Sequence, residues 1–370
     1  RAQRPRRTIP ADHRGAQMCV RGKDYLVGPE KVRTANVDIM RALLVVNPIA
    51  TATTQRIRDV LVSALAAGLS LETVVTKGRG HAAELAERAA DNGLDLVVAL
   101  GGDGTVNEIA NGLLRAGPDP GTPALAVVPG GSTNVFARAL GCSASPVEAT
   151  GELLEALREG RSRRIGLGHA TFTNRSGSSQ SRWFTFCAGL GLDAAVVERV
   201  ERKRVHGRRN TPGLYLRSAA SQFVRNAGRR HPPITITTDE PSQAAEATVD
   251  GSGPGTAEPD TVLVAVVCNT TPWTYLNSRL VRACPAASFD TGLDLVGLRR
   301  LTAMTTTRIG LHMLHSARGP HGRNVSTLHD QRTITLTATQ ELPFQMDGEY
   351  IGPQTQVTLR SEPRALRVIV

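Results

Sequence analysis

Between Ala42 and Val128 four apolar runs alternate with three amphipathic stretches, and this alternation narrows the fold more than any other feature of the chain. The runs, Ala42 to Val46, Leu71 to Thr76, Leu94 to Leu100 and Ala124 to Val128, are short and mostly apolar at successive positions. Strands covered on both faces read this way. The intervening stretches, Gln55 to Ala67, His81 to Asn92 and Val106 to Arg115, repeat apolar residues at helical spacing. Strand–helix–strand repetition predicts a parallel sheet with helices on both faces. A helix over Pro146 to Glu159, stopped at Gly160, closes this unit.

Beyond Arg161 the period changes from the helical 3.6 to two. Trp183 to Cys187, Ile234 to Thr238, Thr261 to Cys268, Leu293 to Leu298, Thr333 to Thr337, Gln356 to Leu359 and Ala365 to Ile369 all read as strands. Many short strands predict a mainly antiparallel β-sandwich as a second domain. Helices are expected at Leu192 to Lys203, Leu214 to Asn226 and Thr305 to Ala317, and a connecting loop at Asp239 to Asp260. A chain of 370 residues suits two cores. The expected division is an α/β nucleotide-binding domain over 39–160 and a β-sandwich over 161–370. Residues 1–38 open with Arg1, Arg4, Arg6 and Arg7, lack periodicity and lack a secretory apolar segment; they read as a disordered basic arm, with Met40 as a candidate start.

The net charge of +11 points to a polyanionic partner, and from Arg199 to Arg230 ten Lys or Arg face a single acid, Glu201. Aromatics make up only 4% of the chain, too few for the stacking platforms of single-strand nucleic-acid binders, and no base-reading motif occurs. An anionic membrane surface is the expected partner, not nucleic acid, and a homodimer is compatible with the sequence. The five cysteines, Cys19, Cys142, Cys187, Cys268 and Cys284, include no CxxC pair, which suits a reducing cytoplasm. No apolar run approaches the roughly 20 residues of a membrane-spanning helix. A cytoplasmic, peripherally membrane-associated protein is expected.

Chemistry concentrates where strands hand over to helices. Leu100-Gly101-Gly102-Asp103-Gly104-Thr105-Val106-Asn107-Glu108 follows the third strand, and glycines there let backbone amides approach phosphate at a helix N terminus. A carboxylate beside phosphates requires a cation, so Asp103 points to Mg²⁺, bound directly or through water. Val128-Pro129-Gly130-Gly131-Ser132-Thr133-Asn134 repeats the arrangement after the fourth strand. Asn47-Pro48 after the first strand and Thr76 after the second supply further strand-end groups. Together these junctions predict a nucleotide site. His312 and His315 share a helical face without a third ligand, so no zinc is expected, and Trp183 and Phe186 are read as core.

Across residues 40 to 370 the sequence resembles the diacylglycerol kinase catalytic domain family, which includes sphingosine kinases and bacterial lipid kinases. The residues that carry the resemblance are Asn47-Pro48, Gly101 to Thr105 with Asn107-Glu108, Pro129 to Asn134 with Ala137-Arg138, Ala188 to Ala194, and Asp347-Gly348-Glu349. The resemblance implies an ATP- and Mg²⁺-dependent lipid kinase with its active site between two domains. Nucleotide contacts would come from Asn47, Pro48, Thr76, Gly101, Gly102, Gly104, Thr105, Asn107, Glu108, Gly130, Gly131, Ser132 and Asn134. Glu349 would be the general base, with Asp347 as the alternative. Three departures stand out: Val135 replaces an acid in the second glycine loop, Ile49-Ala50-Thr51 replaces Ser-Gly and leaves Thr51 as the phosphate-side hydroxyl, and Asp290-Thr291-Gly292 replaces Asp-Asp-Gly. The last counts against a structural Mg²⁺ at Asp290. A sphingoid-base or ceramide kinase, an NAD kinase and a non-catalytic sensor are the alternative readings, in that order.

Overall fold

The computed structural model describes residues 40–50, 54–173, 176–191, 194–195, 233–239, 260–276 and 279–370. The basic arm, Thr51, Cys19, the 199–230 basic stretch, the expected helix over 214–226, and most of the helix expected from Leu192 and of the 239–260 loop lie outside these residues.

The first four strands, β1 (Arg41–Val46), β2 (Ser70–Val75), β3 (Leu96–Gly101) and β4 (Ala124–Pro129), are parallel and stand in the order β4-β3-β1-β2. Helices α1 (Gln55–Ala66), α2 (His81–Asp91), α3 (Asp103–Leu113), α4 (Val135–Ala139) and α5 (Pro146–Glu159) connect or follow them. On β1, Leu44 and Val46 pack with Leu61 and Leu65 of α1 and Leu153 of α5. Leu43 and Val45 pack on the opposite side with Leu85 of α2 and Ile109 of α3. Strands β1, β3 and β4 are apolar on both faces because both faces are covered, whereas the edge strand β2 (SLETVV) is largely exposed.

Helices α2 and α3 meet where Gly112 leaves no side chain: a Cβ there would stand 2.2 Å from the Ala83 carbonyl oxygen. Gly112→Ala is therefore expected to force the pair apart and lower stability by about 1–3 kcal/mol, read from denaturant unfolding. An unchanged midpoint would mean that the contact yields freely.

After Gly160, which ends α5 at φ +67°, the remaining strands are mostly antiparallel. They are β5 (Arg163–Thr173), β6 (Ser179–Phe184), β7 (Cys187–Gly191), β8 (Ile234–Thr238), β9 (Thr261–Val262), β10 (Val264–Cys268), β11 (Thr274–Leu276), β12 (Arg279–Val281), β13 (Leu293–Leu298), β14 (Val325–Gln331), β15 (Thr333–Met346) and β16 (Glu349–Val368), with helix α6 (Ala303–His315) between β13 and β14. Apolar residues of β7, β10 and β13 pack with those of β5, β15 and β16 in one cluster. The long strands β15 and β16 carry register shifts and serve both layers, β15 pairing with β7 through Phe344–Met346 and with β8 through Ile334–Ala338.

The sequence reading missed β5 and treated Trp183 to Cys187 as one strand. In the structure β6 ends at Phe184 and β7 begins at Cys187, because the backbone at Thr185 and Phe186 turns to a carboxylate described below. The end of β16 runs parallel to β4 through Val368 and Leu125, so fourteen strands form one continuous sheet. That junction joins the two halves. Trp183 and Phe186 are buried, as expected of core residues.

Candidate active site

The chain leaves β1 for β2 on one side and reaches β3 on the other, so the order β4-β3-β1-β2 reverses direction between β1 and β3. Loops diverge at such a point, and a crevice opens beyond the carboxyl ends of the strands. Asn47 and the first glycine loop flank it. The Asn47 N–H bonds the Leu100 carbonyl at 3.0 Å, and Asn47 Nδ2 bonds Thr105 Oγ1 at 2.9 Å, tying the end of β1 to the first turn of α3.

The two glycine loops touch. Gly130 N–H bonds the Gly101 carbonyl at 2.8 Å, and a Cβ on Gly131 would stand 2.7 Å from Gly102 Cα. These glycines thus let neighbouring loops close on each other. Gly104 differs, because a Cβ there would meet nothing within 4 Å. Asn134, at φ 50°, braces the second loop by accepting from Gly131 N–H and donating to the Gly131 carbonyl, each at 2.8 Å. Val135, where the resemblance led us to expect an acid, packs into an apolar cluster with Phe186 and Tyr275. Ser132 and Pro48 are exposed, and Thr76 is half-buried.

Asp103 Oδ1 accepts the Phe136 N–H at 3.1 Å, linking the start of α3 to α4. Burial pushes its carboxyl up to about 6, against smaller opposing contributions from the Phe136 and Val135 amides. No cationic side chain among the described residues pairs with it. A half-buried carboxylate left without a cation fits a divalent ion beside phosphates. The folded state holds this proton to higher pH than the unfolded chain, whose carboxyl titrates near 3.8. Its contribution to stability is therefore fully present at low pH and falls as pH rises toward 6. In chelator-containing buffer, Asp103→Asn should gain roughly 2 kcal/mol relative to the parent between about pH 4 and pH 7. Urea melts at the two pH values test this, and a pH-independent difference would contradict it.

Asp290 is set apart from other acidic side chains. Its side chain is 67% exposed and faces Arg163 at 3.8 Å, while neighbouring Asp294 is taken by His329 Nδ1 at 2.7 Å. No group of three potential ligands is assembled among the described residues.

Asp347 and Gly348, at φ 48° and 75°, form the two-residue turn between β15 and β16, with Met346 opposite Glu349. Both turn residues having positive φ suits an Asp-Gly hairpin. The Asp347 carboxylate is buried and accepts from Thr185 N–H (2.6 Å), Thr185 Oγ1 (2.8 Å), Phe186 N–H (2.9 Å), Cys187 N–H (3.0 Å) and Asn107 Nδ2 (2.7 Å). Burial raises its carboxyl above the ordinary value, opposed by these amides. An anchor with both oxygens so engaged makes a poor general base.

Asn107 is similarly occupied, donating also to the Trp183 carbonyl at 3.0 Å and accepting from Arg182 at 2.6 Å. It joins α3 to the second half of the chain. Glu108 accepts from Gly80 and Ala82 N–H at 2.9 and 3.2 Å, supplying the cap that α2 lacks from its own N-cap glycine. Both side chains, expected from sequence to contact nucleotide, are engaged by partners within the protein.

Glu349, the first residue of β16, is placed differently. Its side chain is 20% exposed and ion-paired on one oxygen with Arg79, from the β2–α2 loop, and on the other with Arg182 of β6 at 2.5 Å. Arg79 and Arg182 escaped the sequence reading, since nothing in their local surroundings marks them. Glu349, Arg79 and Arg182 also line an open pocket of about 620 Å³ whose other walls include Phe172, Tyr350, Ile351 and Pro353. A carboxylate thus stands between the glycine-loop half of the chain and a partly apolar cavity.

Residues 41–170 match the family described as the diacylglycerol kinase catalytic domain. A diacylglycerol kinase of Bacillus subtilis is 37% identical over 123 residues, covering 32% of this chain and 39% of that protein. A probable lipid kinase YegS-like protein of Chromohalobacter salexigens is 44% identical over 89 residues, 24% of this chain and 28% of that one. These alignments span well under two thirds of the relatives. Among solved structures, a putative diacylglycerol kinase of Bacillus anthracis superposes with a TM-score of 0.63 at 22% identity, covering 89% of this chain and 96% of that one. A second structure of a diacylglycerol kinase from the same organism gives 0.61 at 19% identity, with the same coverage. Over residues 41–170 the chain is therefore a match to the diacylglycerol kinase catalytic domain family, and its described residues carry the fold of bacterial proteins of that name.

Proposed function

We propose that this protein is an ATP-dependent lipid kinase that transfers the γ-phosphoryl group of ATP to the free hydroxyl of diacylglycerol or a similar lipid, yielding phosphatidic acid or the corresponding lipid phosphate. The observation that supports this reading is Glu349, paired with Arg79 of the β2–α2 loop and lining a pocket whose walls are part polar and part apolar. The nucleotide would lie in the crevice beyond β1, β3 and β4, with its phosphates toward the first turn of α3. Glu349 would accept the proton of the lipid hydroxyl as its oxygen attacks the γ-phosphorus, and the bond to the β-phosphate oxygen would break to release ADP. Arg79, 65% exposed at its side chain, would exchange Glu349 for a phosphate oxygen. Asp103 would hold Mg²⁺, which when bound neutralises phosphate charge. The acceptor would be drawn from an anionic membrane surface, with the enzyme peripherally attached.

The deciding experiment is transfer of labelled γ-phosphate to mixed micelles holding, separately, diacylglycerol, monoacylglycerol, sphingosine or ceramide, with NAD as a parallel acceptor. Mg²⁺-dependent label in a chloroform-soluble diacylglycerol product is the expected result. Label in sphingosine or ceramide alone would move the assignment to a sphingoid-type kinase. Label only in NADP, or none at all, would overturn the lipid kinase reading.

A further inference from the structure

Helix α6 packs inward through Ile309 and Met313, and its main chain accepts Arg282 N–H at the Met313 carbonyl, 2.8 Å away. Its other face has no cover among the described residues. At 100° per residue, Met304, Arg308, Leu311 and His315 fall on one narrow stripe. Met304 is 83% exposed and Leu311 52% exposed, two of the few large apolar side chains so exposed on the described surface. From Leu295 to His329 the chain contains five arginines and no acid. Arg299 is neutralised by Asp260, whereas Arg300, Arg308, Arg318 and Arg323 are exposed and have no carboxylate partner among the described residues.

We propose that the outer face of α6 is the surface by which this protein docks on an anionic bilayer, with Met304 and Leu311 entering the interface and Arg300, Arg308, Arg318 and Arg323 meeting lipid phosphates. Amphipathic helices bind in the membrane plane by combining apolar insertion with attraction to anionic headgroups. Protruding aliphatic side chains favour a bilayer over nucleic acid, which offers them no apolar partner. The location suits such a role. Met313 belongs to the apolar cluster that also holds Tyr275 of β11 and Val135 of α4, so α6 is one layer removed from the second glycine loop. Arg138 of α4 stacks 3.3 Å over the Tyr275 ring, continuing that connection. This inference rests on the lipid-acceptor reading for its purpose, but its test does not.

The test is flotation of the full chain with phosphatidylglycerol vesicles, without ATP or diacylglycerol, beside phosphatidylcholine vesicles as the neutral control. The wild-type protein should float with the anionic vesicles and be released by salt. A Met304→Asp, Leu311→Asp double variant should lose about tenfold or more in vesicle partition, since two apolar insertions become two repelled charges. Both positions are exposed, so an unchanged thermal midpoint serves as the folding control, and turnover of a detergent-dispersed short-chain diacylglycerol should stay within about twofold. Arg308→Glu should weaken flotation without altering that turnover. Undiminished flotation of the double variant overturns the proposal. So does a wild-type protein that stays off the vesicles while shifting duplex DNA or dimerising through this face. A wild-type protein that floats, with loss in the double variant, but transfers no phosphate supports the docking surface and removes only the kinase reading.

Discussion

Glu349→Gln is expected to lower kcat for phosphate transfer to diacylglycerol by about 10²–10⁴-fold, the usual worth of a positioned general base. Both carboxylate oxygens face guanidinium groups, so glutamine keeps the shape but removes the proton acceptor and turns its amide NH2 toward one of the two guanidinium groups. Because the interaction matters in the transition state, kcat and kcat/KM should fall together. Stability should fall by about 1–2 kcal/mol, because the Arg79 pair is partly solvated but the Arg182 pair is mostly enclosed. Steady-state assay with γ-labelled ATP, beside a denaturant melt, separates the two effects. A variant retaining more than about a tenth of the parent activity would remove Glu349 from the proton-transfer step.

Asp347→Asn should do the opposite, costing stability first. Five donors converge on this carboxylate, three of them backbone amides of Thr185, Phe186 and Cys187. An asparagine has one acceptor oxygen and turns its amide toward donors that need an acceptor. Leaving buried donors unsatisfied costs about 1–3 kcal/mol each, not additively, and a total near 3–5 kcal/mol is expected. Asparagine tolerates the positive φ at this turn, so backbone strain adds little. Urea unfolding measures the loss. If stability holds and turnover alone disappears, Asp347 is the base and the anchor role fails.

These two acids sit two residues apart in one tripeptide, and the sequence alone could not assign them different roles. It could show that Asp-Gly suits a hairpin turn and that Glu349 follows it. Which carboxylate is buried depends on where the β6–β7 corner lies, and that corner is set by strand pairings distant in sequence. Asn107 and Glu108 present the same difficulty. Their place beside a glycine loop suggests nucleotide contact, yet Asn107 reaches a residue 240 positions away and Glu108 caps another helix.

The parallel sheet, its covering helices, the two glycine loops and the antiparallel character of the second half were legible as local pattern, though β5, β11, β12 and β14 were not. Burial on two faces, helical periodicity and turn chemistry leave their mark within a few residues of chain. The tertiary structure decided what lies outside that range. It put β1 beside β3 to open the crevice, returned β16 to the edge of β4, and brought Arg79 and Arg182 from separate segments onto Glu349. Strand order, register and charge convergence arise from contacts between residues tens to hundreds of positions apart, and local periodicity carries no record of them.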